Sequence, residues 1–370
     1  MSAADDLRLG ILGGGQLAQM MCEAAQRLGA SCVVLSPVEN APATDQADEY
    51  ICAEYTDSEA LQRLAQHCNV VTLDNEHIPQ KALEVLTGQV DLQPGLETMS
   101  HIRDRLAQRK LLAKLQLPQT AFWSVDNNES LQAAQQAAQF PAVLKSRHGG
   151  YDGYGQKVVS EASQLAEAWE ALKQSPCILE GWVTYQQEFS IVGARSRDGV
   201  IRLYQPISNL HKDGQLQRSD SDAGLPEDLN QAAQAMWSKI AAAFNYQGVM
   251  AVEFFLTQDN EILINEIAPR VHNSGHLTQM AYTQSQFDLH VRGVLGLALP
   301  EIQAPQDTVM FNLYPEYGFD SASAAAQLES QADGQVYWYG KSPRPRRKMG
   351  HWLVKAEQAD KAEQFIKAGR

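Results

Sequence analysis

The sequence predicts a mixed α/β and α+β chain: an N-terminal parallel sheet with helices on its faces, a compact α+β unit, a larger strand-rich unit and a small β-rich C-terminal unit. Three observations predict this. Strand and helix patterns alternate over roughly the first 100 residues, which implies a parallel sheet. A glycine-rich loop, His148 to Gln156, closely follows the strand that presents Lys145. Two apolar runs, 248–256 and 261–267, flank Asp259-Asn260 and predict a hairpin.

Taken in order, 9–12 reads as a strand, Gly13-Gly14-Gly15 as a turn, and Leu17, Met20, Met21, Ala24, Ala25 and Leu28 as one face of a helix stopped by Gly29. Strands follow at 32–35 and 70–73, the second entering Asp74-Asn75-Glu76-His77. A long polar helix is expected near 102–115, and Leu117-Pro118 marks a boundary. The second unit holds strands near 121–124, 142–145, 156–159 and 177–180, with helices from Ser130 and near 164–173. Beyond Glu188 come strands at 189–192 and 203–206, a helix near 231–244 and the hairpin. The last unit has strands at 309–314 and 336–339 and a final helix. The expected units are 1–117, 118–183, 184–300 and 301–370.

Composition narrows the class. With 370 residues and 44% hydrophobic content, the chain builds a sizeable core. A formal charge of −14 argues against broad binding to nucleic acid or an anionic membrane. The five cysteines include no C-x-x-C pair, so neither a disulfide framework nor a zinc site is expected, and a reducing cytosol fits. No basic cleavable leader and no apolar run near 18 residues appears, so export and membrane spanning are not expected.

The hairpin carries the most chemistry. With Asp259-Asn260 as a two-residue loop, Gln258 pairs with Glu261, Leu256 with Leu263, and Glu253 with Glu266. Like charges about 5 Å apart repel by roughly 3 kcal/mol at an effective dielectric near 20, so a compensating divalent cation is expected there. Arg270, His272, Asn273 and Ser274 follow as anion or hydroxyl donors, and such a set suits magnesium and phosphate. A glycosidase pair is the rival reading, although directly opposed carboxylates leave too little room for a sugar.

Other motifs are individually weaker. Gly13 to Ala18 matches G-x-G-x-x-A and reads either as a phosphate-binding turn or as a tight packing turn; Ser36 stands where a dinucleotide site wants an acid. The loop 148–156 reads as a phosphate-covering lid or as a flexible hairpin. It is no Walker A loop, and Gly340-Lys341-Ser342 lacks both the first glycine and the following helix. Glu180 and Glu188 flank Gly181-Trp182-Val183, a segment suited to an adenine edge and a ribose or simply to solvated strand ends. Arg344 to Lys348 is a basic cluster that reads as a solvated face or a phosphate pocket.

Together LGGGQL (12–17), Asp104-Arg105-Leu106, Lys145, GGYDGYGQ (149–156), Glu180 to Val183, Glu188, His211, NEIAPRVHNSGH (265–276) and RKMGH (347–351) resemble the ATP-grasp superfamily. Within it, they resemble the N5-carboxyaminoimidazole ribonucleotide synthetase family. The resemblance implies an ATP-grasp fold between an N-terminal Rossmann-like domain and a small C-terminal domain. It implies ATP held by Arg105, Lys145, Gly150, Tyr151, Asp152, Gly153, Tyr154, Gly155, Gln156, Glu180, Gly181, Trp182, Val183, Glu188, His211, Asn265 and Glu266. Magnesium would bind Glu253 and Glu266. The ribonucleotide would meet Gly15, Gln16, Leu17, Glu76, Arg270, His272, Asn273, Ser274, Lys341 and Arg347, with Asp152, Arg270 and Lys341 as catalytic residues.

The implied reaction is ATP- and bicarbonate-dependent carboxylation of 5-aminoimidazole ribonucleotide in purine biosynthesis, by a cytoplasmic homodimer without nucleic-acid or membrane partners. Three departures stand out: Tyr154 where the family usually has a cation, Arg346 where it usually has glycine, and Asp74-Asn75-Glu76 in place of an acidic-aromatic-acidic run. The competing readings are a formate-dependent glycinamide ribonucleotide ligase, a biotin carboxylase, an NAD-dependent oxidoreductase and a non-catalytic nucleotide-binding protein.

Overall fold

Apolar runs sort this chain into three sheets, and the ends of those sheets converge on one cleft. The computed structural model describes residues 7–150 and 154–368. The first sheet comprises β1 (Arg8–Leu12), β2 (Ser31–Ser36), β3 (Glu49–Cys52), β4 (Val70–Leu73) and β5 (Asp91–Leu92) in the parallel order β3-β2-β1-β4-β5. Its central strands are almost wholly buried, as a parallel sheet covered on both faces requires. Helices α1 (Gln16–Arg27), α2 (Ser58–His67), α3 (Gln80–Leu86) and α4 (Leu96–Ile102) complete the unit. Strand order reverses between β1 and β4, so the crevice at their carboxyl ends is the position where such sheets bind ligands.

The expected helix at 102–115 is broken. Asp104 is extended (φ −102°, ψ 113°) and its Oδ1 accepts from the Leu106 N–H at 2.9 Å, so it ends α4 and starts α5 (Arg105–Lys114). Sequence periodicity continued through a capping residue that the backbone treats as a stop.

The second sheet, order β6-β9-β7-β8, contains β6 (Phe122–Val125), β7 (Ala142–Ser146), β8 (Gln156–Val159) and β9 (Cys177–Gly181), with α6 (Asn128–Ala137) and α7 (Leu165–Ala171). The third contains β10 (Tyr185–Arg195), β11 (Ile201–Leu203), β12 (Ile207–Lys212), β13 (Gln215–Asp220), β14 (Gly248–Thr257), β15 (Ile262–Ala268), β16 (Thr308–Leu313), β17 (Gly334–Trp338) and β18 (Gly350–Lys355). It runs β15-β14-β10-β12-β13-β16-β18-β17, with β11 beside β10, so the C-terminal strands continue the large sheet through β13 and β16. Helix α8 (Glu227–Ala243) covers one face and buries Trp237, whose indole N–H donates to the Met250 carbonyl at 3.0 Å.

One histidine links the first and third sheets. His290 Nδ1 accepts from the Val249 N–H at 3.0 Å, which leaves Nε2 to donate to Thr72 Oγ1 at 2.9 Å. Burial lowers its pKa to about 4. A neutral ring is thus the form this joint uses.

Candidate active site

The hairpin meets the sequence expectation at its acids and departs from it at its tip. Glu253 pairs with Glu266 as expected, but Phe255 pairs with Leu263 and Leu256 with Ile262. The Thr257 N–H donates to the Glu261 carbonyl at 2.9 Å, so the loop has three residues, 258–260, with Asn260 left-handed (φ 59°). The extra loop residue is offset by a bulge: Phe254 opposes Ile264, Glu253 opposes Glu266, and Asn265 has no opposite number. The bulge lets Asn265 and Glu266, consecutive in sequence, both line the cleft, while Ile264 and Ile267 stay buried. Asn265 Nδ2 donates to Glu253 Oε2 at 3.3 Å, and His272 Nε2 lies 3.4 Å from Glu253 Oε1.

Electrostatics supports a ligand-binding role for this pair. Burial, together with the charges of Glu266 and Glu188 and against the pull of His211, pushes the Glu253 carboxyl up to about 7. Burial, with Arg270 beside it, pulls His272 down to about 3, so that imidazole is neutral. The Ser274 N–H points at His272 Nδ1 (3.3 Å), which leaves the ring proton on Nε2, facing Glu253. Among the described residues no group of three or more His, Cys, Asp or Glu is arranged as a metal cage. Two carboxylates completed by phosphate oxygens match the hard-oxygen preference of magnesium, which is usually bound by one or two carboxylates plus substrate phosphates.

A cleft of about 520 Å³ opens over this pair. Lys145 stands on β7 opposite Gln156 of β8, and Val143 stands opposite Val158, so one face carries a polar pair beside an apolar pair. All four line the cleft. Lys145 Nζ is 2.7 Å from Glu180 Oε2, while Arg109 Nε donates to Glu180 Oε1 at 2.6 Å. Burial alone would raise the Glu180 carboxyl, but these two cations hold it well below the ordinary range. Its carboxylate therefore holds Lys145, while Glu188 pairs with His211 and also lines the cleft. Arg105 ties the glycine-rich loop to the acids: it donates to the Ser146 carbonyl at 3.0 Å and the Gly150 carbonyl at 2.9 Å, and lies 3.5 Å from Glu266 Oε1. A Cβ on Gly150 would sit 2.9 Å from the Tyr154 carbonyl oxygen as well as 2.8 Å from Arg105 Nη1, so a side chain there would force the backbone to move.

Most of the nucleotide set expected from sequence lines this cleft: Arg105, Lys145, Gly150, Tyr154, Gln156, Glu180, Gly181, Trp182, Val183, Glu188, His211, Asn265 and Glu266, with Glu253 beside them. Gly155 is not among the lining residues; Tyr151, Asp152 and Gly153 lie outside the described residues. Of the ribonucleotide set, Glu76, Arg270 and His272 line it. Arg270 forks onto Glu76, with Nη2 to Oε1 at 3.1 Å, and this pairing, against burial, holds the Glu76 carboxyl down at about 2. Ser274 sits behind His272, its Oγ 2.9 Å from Nδ1, and Asn273 has a buried side-chain amide. Lys341 Nζ donates to Gln16 Oε1 at 2.5 Å, joining the C-terminal unit to the start of α1, where Leu17 is buried. Arg347 donates to the Ser342 carbonyl at 2.9 Å.

The glycine turn has a different arrangement from a dinucleotide site. The Gly15 N–H donates to Asp74 Oδ2 at 2.7 Å, and a Cβ on Gly13 would lie 1.7 Å from Asp74 Oδ1. Asp74 fills the anion position with a carboxylate of the chain itself, which argues against pyrophosphate and the NAD reading.

Two departures noted in the sequence meet in space. The Arg346 guanidinium lies 5.0 Å over the Tyr154 ring and donates to the Asp213 carbonyl at 2.8 Å. Arg346 is left-handed (φ 62°), a conformation that explains why glycine is natural at that position. A guanidinium from the C-terminal turn thus sits beside position 154, although Arg346 itself is not among the cleft-lining residues.

Sequence reasoning missed the apolar lining of Val143, Val158, Tyr185 and Phe255, and the hairpin tip Asp213-Gly214. The signals were present: period-2 alternation along β7 and β8, and an Asp-Gly pair whose positive φ values (52° and 75°) make a two-residue turn.

Comparison with known proteins shows the family of the chain. The ribonucleotide synthetase preATP-grasp domain matches residues 7–103, the ATP-grasp domain 110–287, and the phosphoribosylaminoimidazole carboxylase C-terminal domain 308–364. The N5-carboxyaminoimidazole ribonucleotide synthase of Bacillus subtilis (strain 168) is 36% identical over 359 residues, covering 97% of this chain and 94% of the relative. This chain belongs to the N5-carboxyaminoimidazole ribonucleotide synthase family. Among solved members of that family, the Staphylococcus aureus enzyme complexed with ADP superposes with a TM-score of 0.91 at 32% identity, covering 98% of this chain and 96% of that one. The Aspergillus clavatus synthase, in complex with ADP and 5-aminoimidazole ribonucleotide, gives 0.89 at 30% identity, with coverage of 99% and 98%.

Proposed function

We propose that the chain is an ATP-dependent carbon–nitrogen ligase of purine biosynthesis that carboxylates 5-aminoimidazole ribonucleotide to N5-carboxyaminoimidazole ribonucleotide, consuming bicarbonate and releasing ADP and phosphate. The single observation that carries this reading is the pairing of Glu253 with Glu266 in one cleft with Lys145, Arg105 and the lid. Bicarbonate attacks the γ-phosphorus, the bond to the ADP oxygen breaks, and carboxyphosphate forms. Carboxyphosphate loses phosphate to give CO₂, the 5-amino nitrogen bonds to its carbon, and the amine proton leaves to a base.

Glu253 and Glu266, with Asn265 alongside, would hold magnesium, which would supply charge neutralisation for the phosphates. Lys145 and Arg105 add positive charge at the same end of the cleft, where preorganised electrostatics does most of the catalytic work. Val143, Val158 and Trp182 supply an apolar slot for the base, and Glu188 faces the ribose. Glu76 fixes Arg270 on the acceptor side, where His272 stands as a neutral donor, and Lys341 with Arg347 supplies charge for the ribonucleotide phosphate. Asp152 of the glycine-rich loop is the proposed base. The proposed units are 1–117, 118–183, 184–300 and 301–370. A homodimer and a reducing cytosolic setting complete the reading; among the described residues no helix is long and apolar enough to cross a membrane.

The test is phosphate release from ATP with each acceptor. Release that requires 5-aminoimidazole ribonucleotide and bicarbonate together is expected. Release only with formate and glycinamide ribonucleotide would overturn the proposal.

A further inference from the structure

The bulge that brings Asn265 and Glu266 to the cleft is held from outside the sheet. β15 is an edge strand, so apart from one isolated bridge between Ile264 and Gln119 its outward backbone groups have no strand partner. In a regular antiparallel strand the residues whose N–H and C=O both point outward alternate. Here Ile264 is outward: its N–H donates to the Pro118 carbonyl at 2.9 Å and its carbonyl accepts from Arg109 Nη1 at 2.8 Å. The next fully outward residue is Ile267, three positions later rather than two. Its N–H donates to Gln108 Oε1 at 3.0 Å and its carbonyl accepts from Gln108 Nε2 at 3.3 Å. Between them the Asn265 carbonyl also turns outward and accepts from Arg109 Nη2 at 2.8 Å. The phase slip of the bulge is thus recorded bond by bond in two side chains of α5.

Both side chains are buried, Gln108 at 3% and Arg109 at 2% exposure. The third nitrogen of the same guanidinium, Nε, donates to Glu180, whose other oxygen holds Lys145. One planar group therefore spans the carbonyls behind the acid-bearing bulge and the carboxylate that aims the lysine. Arg105, one turn earlier on the same helix face, contacts Glu266 and the lid.

We infer that Arg109 and Gln108 are positioning residues that lock the β15 bulge, and through it the Asn265-Glu266 pair, in register for metal-bound nucleotide. The inference rests on the reading of Glu253 and Glu266 as magnesium ligands. A lysine at 109 keeps the charge beside Glu180 but cannot fork onto both carbonyls, and leucine at 108 removes the Ile267 contacts without altering any ion pair.

The experiment is calorimetric titration of magnesium into purified protein saturated with ADP, paired with ADP titration in the absence of metal, for wild type, Arg109→Lys and Gln108→Leu. Arg109→Lys is expected to weaken magnesium binding at least tenfold and Gln108→Leu at least threefold, while metal-free ADP binding changes less than threefold. Should Arg109→Lys fail to fold, Gln108→Leu alone decides. Magnesium affinities within twofold of wild type overturn the inference, as does a variant that loses only thermal stability. Wild-type protein that binds magnesium with ADP but makes no carboxylated product would instead contradict the proposed reaction and leave this titration readable.

Discussion

The glycine turn after β1 and the hairpin of β14 and β15 both handle negative charge, and they do so in opposite ways. At the turn, a carboxylate of the chain itself, Asp74, occupies the Gly15 N–H. At the hairpin, two carboxylates face one another across a ladder and line an open cleft. At the turn that one donor is already taken and makes no demand on a ligand. The hairpin concentrates like charge and buries the Glu253 side of it, and a cation relieves both penalties. A local motif that resembles a ligand site is therefore weaker evidence than a local arrangement that is costly without one.

The comparison is tested most severely at Glu266. Replacement by Gln leaves the hairpin hydrogen bonds intact and is expected to lower turnover by roughly 100-fold or more at saturating ATP, since phosphoryl transfer depends on charge neutralisation. Steady-state phosphate release at saturating and limiting magnesium measures it, and unchanged turnover at limiting magnesium would break the contrast. At the other region, Asp74→Ala strands the Gly15 N–H and is expected to cost about 1–3 kcal/mol of stability while the KM for ATP stays within twofold. Chemical denaturation and ATP kinetics separate the two effects; a large rise in KM with full stability would make the turn a nucleotide site after all.

A third prediction concerns acid. Burial holds His290 near about 4 and His351 near about 3, below the ordinary 6.5. The unfolded chain takes up these protons as pH falls through 6.5 and the native state does not until far lower, so stability present at neutral pH is lost on acidification. The slope is up to about 1.4 kcal/mol per pH unit for each ring. Denaturation midpoints at pH 7.5 and 5.0 should differ in that direction, and equal midpoints would contradict the neutral-joint account.

The smallest effect is expected for Arg346→Gly. It relieves a left-handed backbone worth about 1 kcal/mol and removes the guanidinium over Tyr154, so stability changes little while the KM for ATP rises a few-fold. A lower KM would mean that the contact hinders the lid.

Much of this was legible in the chain. The parallel sheet followed from the strand–helix rhythm, and the opposition of Glu253 and Glu266 followed from the hairpin. Yet that register came out right at the acids through two compensating errors of one residue. A three-residue loop replaced the expected two, and a bulge at Asn265 restored the pairing. Neither is visible to periodicity, because a bulge is set by what grips the strand edge, here Gln108 and Arg109 from a helix more than 150 residues earlier in the chain. The Asp74 contact with Gly15 likewise joins residues 59 apart. The break at Asp104 was readable as a capping signal, Asp before a helical run, and the apolar cleft lining was readable from strand alternation.

The most direct measurement is anomalous diffraction from a crystal grown with manganese and ADP. A metal peak at about 2 Å from carboxylate oxygens of both Glu253 and Glu266 is predicted. A peak bound only by phosphate and water, or at any other set of side chains, would contradict the account.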